Sequence, residues 1–464
     1  MVRRRQRERS VWEVVLPDAE KLWPEALRRI DQLIDDEALV EVIAEALERR
    51  WPQSRRRGRV GTPAEVVLRM LVLKHLYHWS YAELEQEVRA NLVSRAFCRL
   101  SCDATPDEKT ILKIAQALGP TVIGRLHQRV VQLAITAGVT AGRRLRVDTT
   151  VVETNIHYPT DSSLLTDGVR VVTRTLKRIE AVIGRGRRAV RNRLRSAQRR
   201  GFEIKACARS PKTRDGLVRS YRRLLATTRA VLRDADTMTR RVGHRLRTVG
   251  ARTRRRLTRL RAQVQAVRPL LRRVITQTTA RVLGGDTHVT DKVMSLFEPH
   301  TEGIRKGKIV KPTEFGKLVT IQEAEHQIVT AYTVHRKRPA DSTLWEPALE
   351  AHVQTFGRAP DLATADRGFA SAANEQAAID RGVRRVVLPR PGPKSPARRT
   401  YERQRWFRRG QIWRVGCEGR ISVLKRRHGL QRCLYHGHDG MERWVGLGVT
   451  ANNLLVIARH LGPP

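Results

Sequence analysis

The sequence is short of acid. Its 46 Asp and Glu stand against 91 Lys and Arg, a formal charge of +45 at pH 7. Such an excess must meet a polyanion or repel itself. A nucleic acid is the natural partner, because its phosphates release counterions when basic side chains neutralise them. Cysteine is scarce as well. Cys98, Cys102, Cys207, Cys417 and Cys433 are odd in number and scattered, which excludes a disulfide framework and points to reduced, intracellular thiols. Cys98 and Cys102 have no matching second pair, so a zinc site is not expected. No run approaches the roughly 20 apolar residues of a membrane span. The first ten residues are mostly charged and lead into no apolar core of signal-peptide length, so neither a secretory leader nor a membrane partner is expected. What remains is a chain of 464 residues, 40% hydrophobic, long enough for two or three domains with at least one full core.

One stretch organises the chain. Leu145-Arg-Val-Asp-Thr-Thr-Val-Val-Glu153 alternates apolar and polar residues up to Asp148 and continues as a β-branched run, the pattern of a strand with one packed face. An acid in such a strand is costly unless it is paired or bound to a cation. Two later acids have similar settings: Asp366 ends Leu362-Ala-Thr-Ala-Asp366, and Glu418 opens Glu418-Gly-Arg-Ile-Ser-Val-Leu-Lys425.

Around these acids the patterns alternate between helix and strand. Helices with an apolar stripe are expected over 11–51, and Ser54–Arg59 reads as a basic link. Thr62-Pro-Ala-Glu65, Ser80-Tyr-Ala-Glu83 and Thr105-Pro-Asp-Glu108 each read as a capped helix start. The short helices of 62–100 fit a helix-turn-helix DNA reader and fit a structural bundle equally well. Residues 154–168 read as turns. From 169 to 280 the chain reads as long, Arg-dense helices, exemplified by Arg185, Arg188, Arg195, Arg255 and Arg259. A run of one sign over a hundred residues destabilises an unliganded helical face, so a phosphate-tracking surface is expected there. Strands are expected at 317–322, 327–334, 362–365 and 385–388, helices at 341–355 and 370–381, a loop at 389–400, and a mostly helical C-terminal part from 418. The sum is an α/β fold with a mixed sheet, a helical N-terminal domain and a long Arg-rich helical insertion.

Asp366 lies 218 residues after Asp148, and Glu418 a further 52 on, so only a fold can gather them. Three carboxylates offer the hard oxygen ligands that Mg²⁺ or Mn²⁺ prefers. Two such ions about 3.5–4 Å apart can activate an attacking oxygen and stabilise a leaving 3′-oxygen on DNA. Glu153, Asp361 and Glu402 are the substitutes. Arg367, which follows the second acid, and Ser422, Lys425 and Arg426, near the helical face of Glu418, are candidates to hold a phosphate. His157 and Tyr158 are candidates for the same pocket or for a structural role.

The segments Val147-Asp-Thr-Thr-Val-Val-Glu-Thr-Asn155, Ala365-Asp-Arg-Gly-Phe369 and Glu418–Leu430, with Thr450-Ala-Asn-Asn-Leu454, resemble the motifs of bacterial insertion-sequence DDE transposases. The resemblance covers about residues 60–461. It implies an RNase H-like catalytic core with Asp148, Asp366 and Glu418 as ligands of Mg²⁺, Mn²⁺ being the alternative. It further implies cleavage of double-stranded DNA at terminal inverted repeats, joining of the 3′ ends to target DNA, and a homodimer or larger assembly in the bacterial cytoplasm, at the nucleoid. The expected domains are a helical extension (1–60), a helical N-terminal domain that is a candidate for DNA binding (61–138), the first part of the core (139–168), the Arg-rich insertion (169–283) and the remainder of the core (284–464). Two other readings fit the charge: an RNase H-like nuclease without joining activity, and a basic architectural DNA-binding protein.

Overall fold

The computed structural model describes residues 3–5, 19–50, 53, 60–100, 103–184, 189–209, 213–305 and 312–462. Val14, Leu16, the basic link 54–59, Cys102, Arg185 and Arg188 therefore lie outside the described residues. The chain forms two compact units, Met1–Asn155 with Gly316–Pro464, and Ile156–Phe315. Among the described residues no helix is long and apolar enough to cross a membrane.

The first unit begins with helices α1 (Glu25–Ile34), α2 (Glu37–Arg50), α3 (Ala64–Leu76), α4 (Tyr81–Ala90), α5 (Leu92–Phe97) and α6 (Glu108–Thr136). The Ser80 capping box forms as expected: the Glu83 amide donates to Ser80 Oγ at 3.1 Å, and the Ser80 amide donates to Glu83 at 2.6 Å. The other two starts differ from expectation. Pro63, not Thr62, takes the cap position of α3 and, having no side-chain acceptor, makes no cap bond, while Glu65 turns inward to the buried Arg69 at 3.2 Å. Asp107, not Thr105, caps α6. Its carboxylate accepts from the amides of both Lys109 and Thr110, which satisfies two of the orphan donors at a helix start. Within α6, Gly119 at φ +73° breaks the helix, so the two helices expected on either side of it are contiguous but kinked.

Strand β1 (Arg144–Thr154) follows, then the second unit. In that unit Thr160 and Ser163 form a capping box that starts α7 at Asp161, so 161–168 are helical and not turn-like. The reason is apolar: Leu164, Leu165, Val169, Val172, Leu176 and Ile179 form a buried stripe along α7 (Asp161–Ile183). Helices α8 (Leu194–Cys207), α9 (Arg214–Arg245) and α10 (Ala251–Thr278) complete that core. Leu257, Leu260, Val264, Leu271 and Val274 recur along α10 at three-, four- and seven-residue steps, the period of a helical bundle seam. Strand β2 (Glu302–Arg305) belongs to this unit as well.

The first unit resumes at Gly316, within β3 (Thr313–Glu323), and continues with β4 (Val329–Val334), α11 (Trp345–Phe356), β5 (Leu362–Ala365), α12 (Ala372–Asp380) and β6 (Arg385–Val387). The expected loop 389–400 ends in helix α13 (Pro396–Arg403). Then α14 (Arg405–Arg427), β7 (Arg432–Cys433) and α15 (Gly437–His460) close the chain. Across the sheet the strands run β4-β3-β1-β5-β6, with β4–β3–β1 antiparallel and β1–β5–β6 parallel. Gly316 sits where β3 crosses β1 so closely that a Cβ would lie 2.0 Å from the Val152 carbonyl oxygen. Alternation along β1 sends Leu145 and Val147 to one face, packed with Trp345, Leu349 and Ala378. On the other face Val152 and Ile321 pack with Leu424, Trp444 and Val449. A mixed sheet in this order, covered by helices, is the α/β architecture of an RNase H-like core.

Candidate active site

Asp148 and Asp366 come from strands that lie side by side. In the parallel β1–β5 ladder Val147 is paired with Ala365, and each aspartate is the next residue. Because Val147 and Ala365 point into the α11 side of the sheet, alternation sends both aspartates toward the opposite, α14 side. Their local geometry is the same. Thr149 N donates to Asp148 Oδ1 at 2.7 Å, and Arg367 N donates to Asp366 Oδ1 at 2.7 Å. The following amide thus orients one oxygen of each carboxylate. Asp148 is half-buried in the middle of β1, not at its end, and Asp366 is exposed just past the last residue of the buried strand β5.

Glu418 does not open a helix but sits within α14, which starts at Arg405. The turn that carries it is fixed to β1. Arg146 donates to the Trp413 carbonyl at 2.5 Å and pairs with the buried Glu323 at 2.5 Å, and its guanidinium lies over the Trp413 ring. At Gly416 a Cβ would lie 2.3 Å from Arg146 Nη1, so the helix can approach this guanidinium only without a side chain there. Burial pushes the Cys417 thiol well up, and the negative charges of Glu323 and Asp148 push it further. The Glu418 carboxylate itself is 61% exposed and bonded to Arg414 at 3.0 Å. An exposed pair of this kind is worth no more than about 1 kcal/mol, so it does not fix the carboxylate. Among the described residues no three His, Cys, Asp or Glu side chains stand close enough together to hold a metal ion. In kind, the three carboxylates are the oxygen-only donor set that a hard divalent ion takes.

The substitute acids are occupied. Glu153 meets Arg432 at 3.3 Å and Asp361 meets Arg358 at 3.0 Å. Glu402 is bonded to Arg398 at 2.8 Å and to Lys394; burial raises its pKa, but these cations win and hold it below the usual carboxylate range. Arg367 and Arg426 are exposed, while Ser422 and Lys425 are half-buried. Arg420 is buried and bonded to Asn452 at 2.8 Å. In the second unit Arg195, Arg255 and Arg259 are exposed on α8 and α10, His157 lies 3.5 Å from Asp167, and Tyr158 packs edge-on against Phe315.

Three residues at this site were not expected from the sequence. Arg414 pairs with Glu418 on the helix surface, Arg146 holds the turn of the helix that carries it, and Asp341 lies against Gly368, where a Cβ would be 3.0 Å from Asp341 Oδ2. The four-residue step from Arg414 to Glu418 could have been found by helical periodicity. No local signal marks Asp341 or Arg146.

The mixed sheet and the helices that cover it define the class, an RNase H-like core. Comparison with known families agrees. Residues 17–117 match the family described as Transposase domain (DUF772), and residues 295–454 match the family described as Transposase DDE domain. The chain belongs to the insertion-sequence DDE transposases. No solved structure matches it.

Proposed function

We propose that this transposase cuts DNA at the terminal inverted repeats of its element and joins the freed 3′ ends to target DNA, with Asp148, Asp366 and Glu418 as its catalytic residues. The observation that carries the reading is the parallel register that sets Asp148, inside β1, beside Asp366, just past the end of β5, each oriented by the amide that follows it. Asp148, Asp366 and Glu418 would hold divalent metal, Mg²⁺ or Mn²⁺, which when bound supplies Lewis-acid activation of the attacking oxygen and stabilisation of the leaving 3′-oxygen. The chain's own groups do the positioning. The backbone amides of Thr149 and Arg367 orient the two aspartates, and Arg146 and Gly416 seat the turn of α14 that carries Glu418. Arg367, Ser422, Lys425 and Arg426 hold the scissile and adjoining phosphates.

The partner is double-stranded DNA, both the terminal repeats and the target. The helices of 61–138 are the candidate reader of the repeats. The Arg-rich insertion, residues 169–283, tracks the backbone through Arg185, Arg188, Arg195, Arg255 and Arg259. Two element ends must be handled together, so the working form is a homodimer or a larger assembly, acting in the cytoplasm at the nucleoid.

A strand-transfer assay tests the reading. Labelled DNA carrying the inverted repeats that flank the gene is mixed with supercoiled target, Mg²⁺ and either wild type or Asp366→Ala. Joined product from wild type and none from the variant is the expected result. Cleavage without joining would replace it with a nuclease, and binding without cleavage in Mg²⁺ or Mn²⁺ with an architectural role.

A further inference from the structure

A second site lies apart from the three acids. A cavity of about 310 Å³ opens between α14, α15 and the β3–β4 turn. Arg420, Arg427, His428, Arg459, His326 and His460 line it, and no carboxylate does so among the described residues. The turn is built to face it. His326 and Gln327 both hold positive φ, 54° and 68°, which residues with a side chain adopt rarely. Glu325 pins the turn by accepting from Thr140 Oγ1 at 2.8 Å and from the amides of Arg143 and Arg144.

Two buried groups are left with capacity that the protein does not use. Arg420 is 7% exposed. It donates to Asn452 Oδ1 at 2.8 Å and to Gln327 Oε1, but its buried Nε meets no hydrogen-bond partner among the described residues. The nearest carboxylate, Glu323, is 3.9 Å from that nitrogen and is already bonded to Arg146, so two guanidinium groups share one negative charge. His428 is 1% exposed. Its Nδ1 lies 3.4 Å from the His75 carbonyl, while Nε2 meets no partner among the described residues. A buried polar atom without a partner is destabilising, and a buried uncompensated charge more so. An anion in the cavity would relieve both at once.

We propose that this cavity is an oxyanion site that takes a phosphate group, held by Arg420, Arg427, Arg459 and the Nε2 of His428. Tetrahedral oxyanions suit it because guanidinium groups form short, charge-assisted bonds to phosphate oxygens. Burial, and then the three guanidinium groups, hold His428 down to about 4 in the empty cavity, against the raising effect of its bond to His75. An entering phosphate cancels the repulsion, so Nε2 takes a proton from solvent and donates it in a hydrogen bond. The site stands whether or not the three acids perform phosphoryl transfer. The phosphate can be a free ion or a phosphodiester of bound DNA.

The test uses the full chain with ¹⁵N-labelled histidine, the His428 ring signals being assigned through His428→Gln. Sodium phosphate is titrated against sodium chloride at equal ionic strength. The His428 signals should move saturably toward the imidazolium position with phosphate and stay in place with chloride. The exposed double variant Arg427→Gln with Arg459→Gln should need at least about tenfold more phosphate for the same shift. A short duplex that reproduces the shift and competes with phosphate identifies DNA as the source. A duplex that leaves the signals in place while phosphate moves them identifies the free ion. Signals that respond to neither, or that respond equally in the double variant, overturn the proposal.

Discussion

Arginine does different work in the two units. In the first, Arg69 is wholly buried and ringed by acids: it bonds Glu65 at 3.2 Å, Asp35 at 3.1 Å and Asp31, and donates to the Phe97 carbonyl. In the second, Arg254, Arg255, Arg256 and Arg259 line the exposed side of α10. The charge of each unit follows the same division. Residues 156–315 carry 40 Lys and Arg against 12 Asp and Glu, a net of +28, whereas the longer remainder carries 51 against 34, a net of +17. Acids such as Asp234 and Asp236, each bonded to arginines, cannot neutralise the second unit. Charge that a fold compensates is committed to its partners, and removing one of them is costly; charge that it leaves uncompensated is free to meet a polyanion. On the proposed reading the first unit holds the chemistry, and the uncompensated charge of the second offers an electrostatic surface.

That division can be broken at several points. The largest effect is expected from Asp148→Asn, which should lower cleavage and joining by about a thousandfold or more, as for groups that act as one unit, while duplex binding at fixed salt stays close to wild type. Labelled-end cleavage and a binding titration on the same preparation check this. Next, Arg69→Met should leave Asp31 and Glu65 with only the partly exposed Arg99 and Arg5 as cationic partners and cost about 3 kcal/mol in a urea melt, without altering the salt dependence of DNA binding.

Acid should destabilise the first unit next most strongly. Burial holds His127 down to about 4, against the raising effect of its bond to the Val329 carbonyl. Between pH 6.5 and 4 the unfolded imidazole takes a proton that the folded one refuses, so stability present above 6.5 is lost as pH falls toward 4. The loss is about 3 kcal/mol from this residue. His127→Gln should flatten the profile of unfolding free energy measured over that window. The smallest effect concerns the second unit: Arg255→Gln with Arg259→Gln should leave the melt unchanged and reduce the slope of log K against log salt by roughly 0.9 for each phosphate no longer neutralised.

Much of this was legible in the sequence because local pattern and tertiary role coincide. Alternation around Asp148 marked a strand, and the short run from Leu362 to Ala365 leads straight to Asp366. The Ser80 box formed as the local pattern implies, its two reciprocal bonds joining Ser80 and Glu83. Where tertiary partners intervened, local reading failed. Glu65 turned inward to Arg69, Asp107 displaced Thr105 by accepting two amides, and Leu164 and Leu165 pulled a polar stretch into a helix. The grip of Arg146 on α14 was hidden for the same reason, since it spans 267 residues of chain.

Three acids, far apart in sequence, are assigned to one metal centre. The most direct measurement replaces Mg²⁺ with Fe²⁺ in the DNA-bound protein and adds ascorbate and peroxide, so that hydroxyl radicals cut the backbone beside the ion. Fragments ending near residues 148, 366 and 418, suppressed together by excess Mg²⁺ and by Asp366→Ala, are the predicted result. Cuts near one of the three alone, or at unrelated positions that Asp366→Ala leaves unchanged, would contradict it.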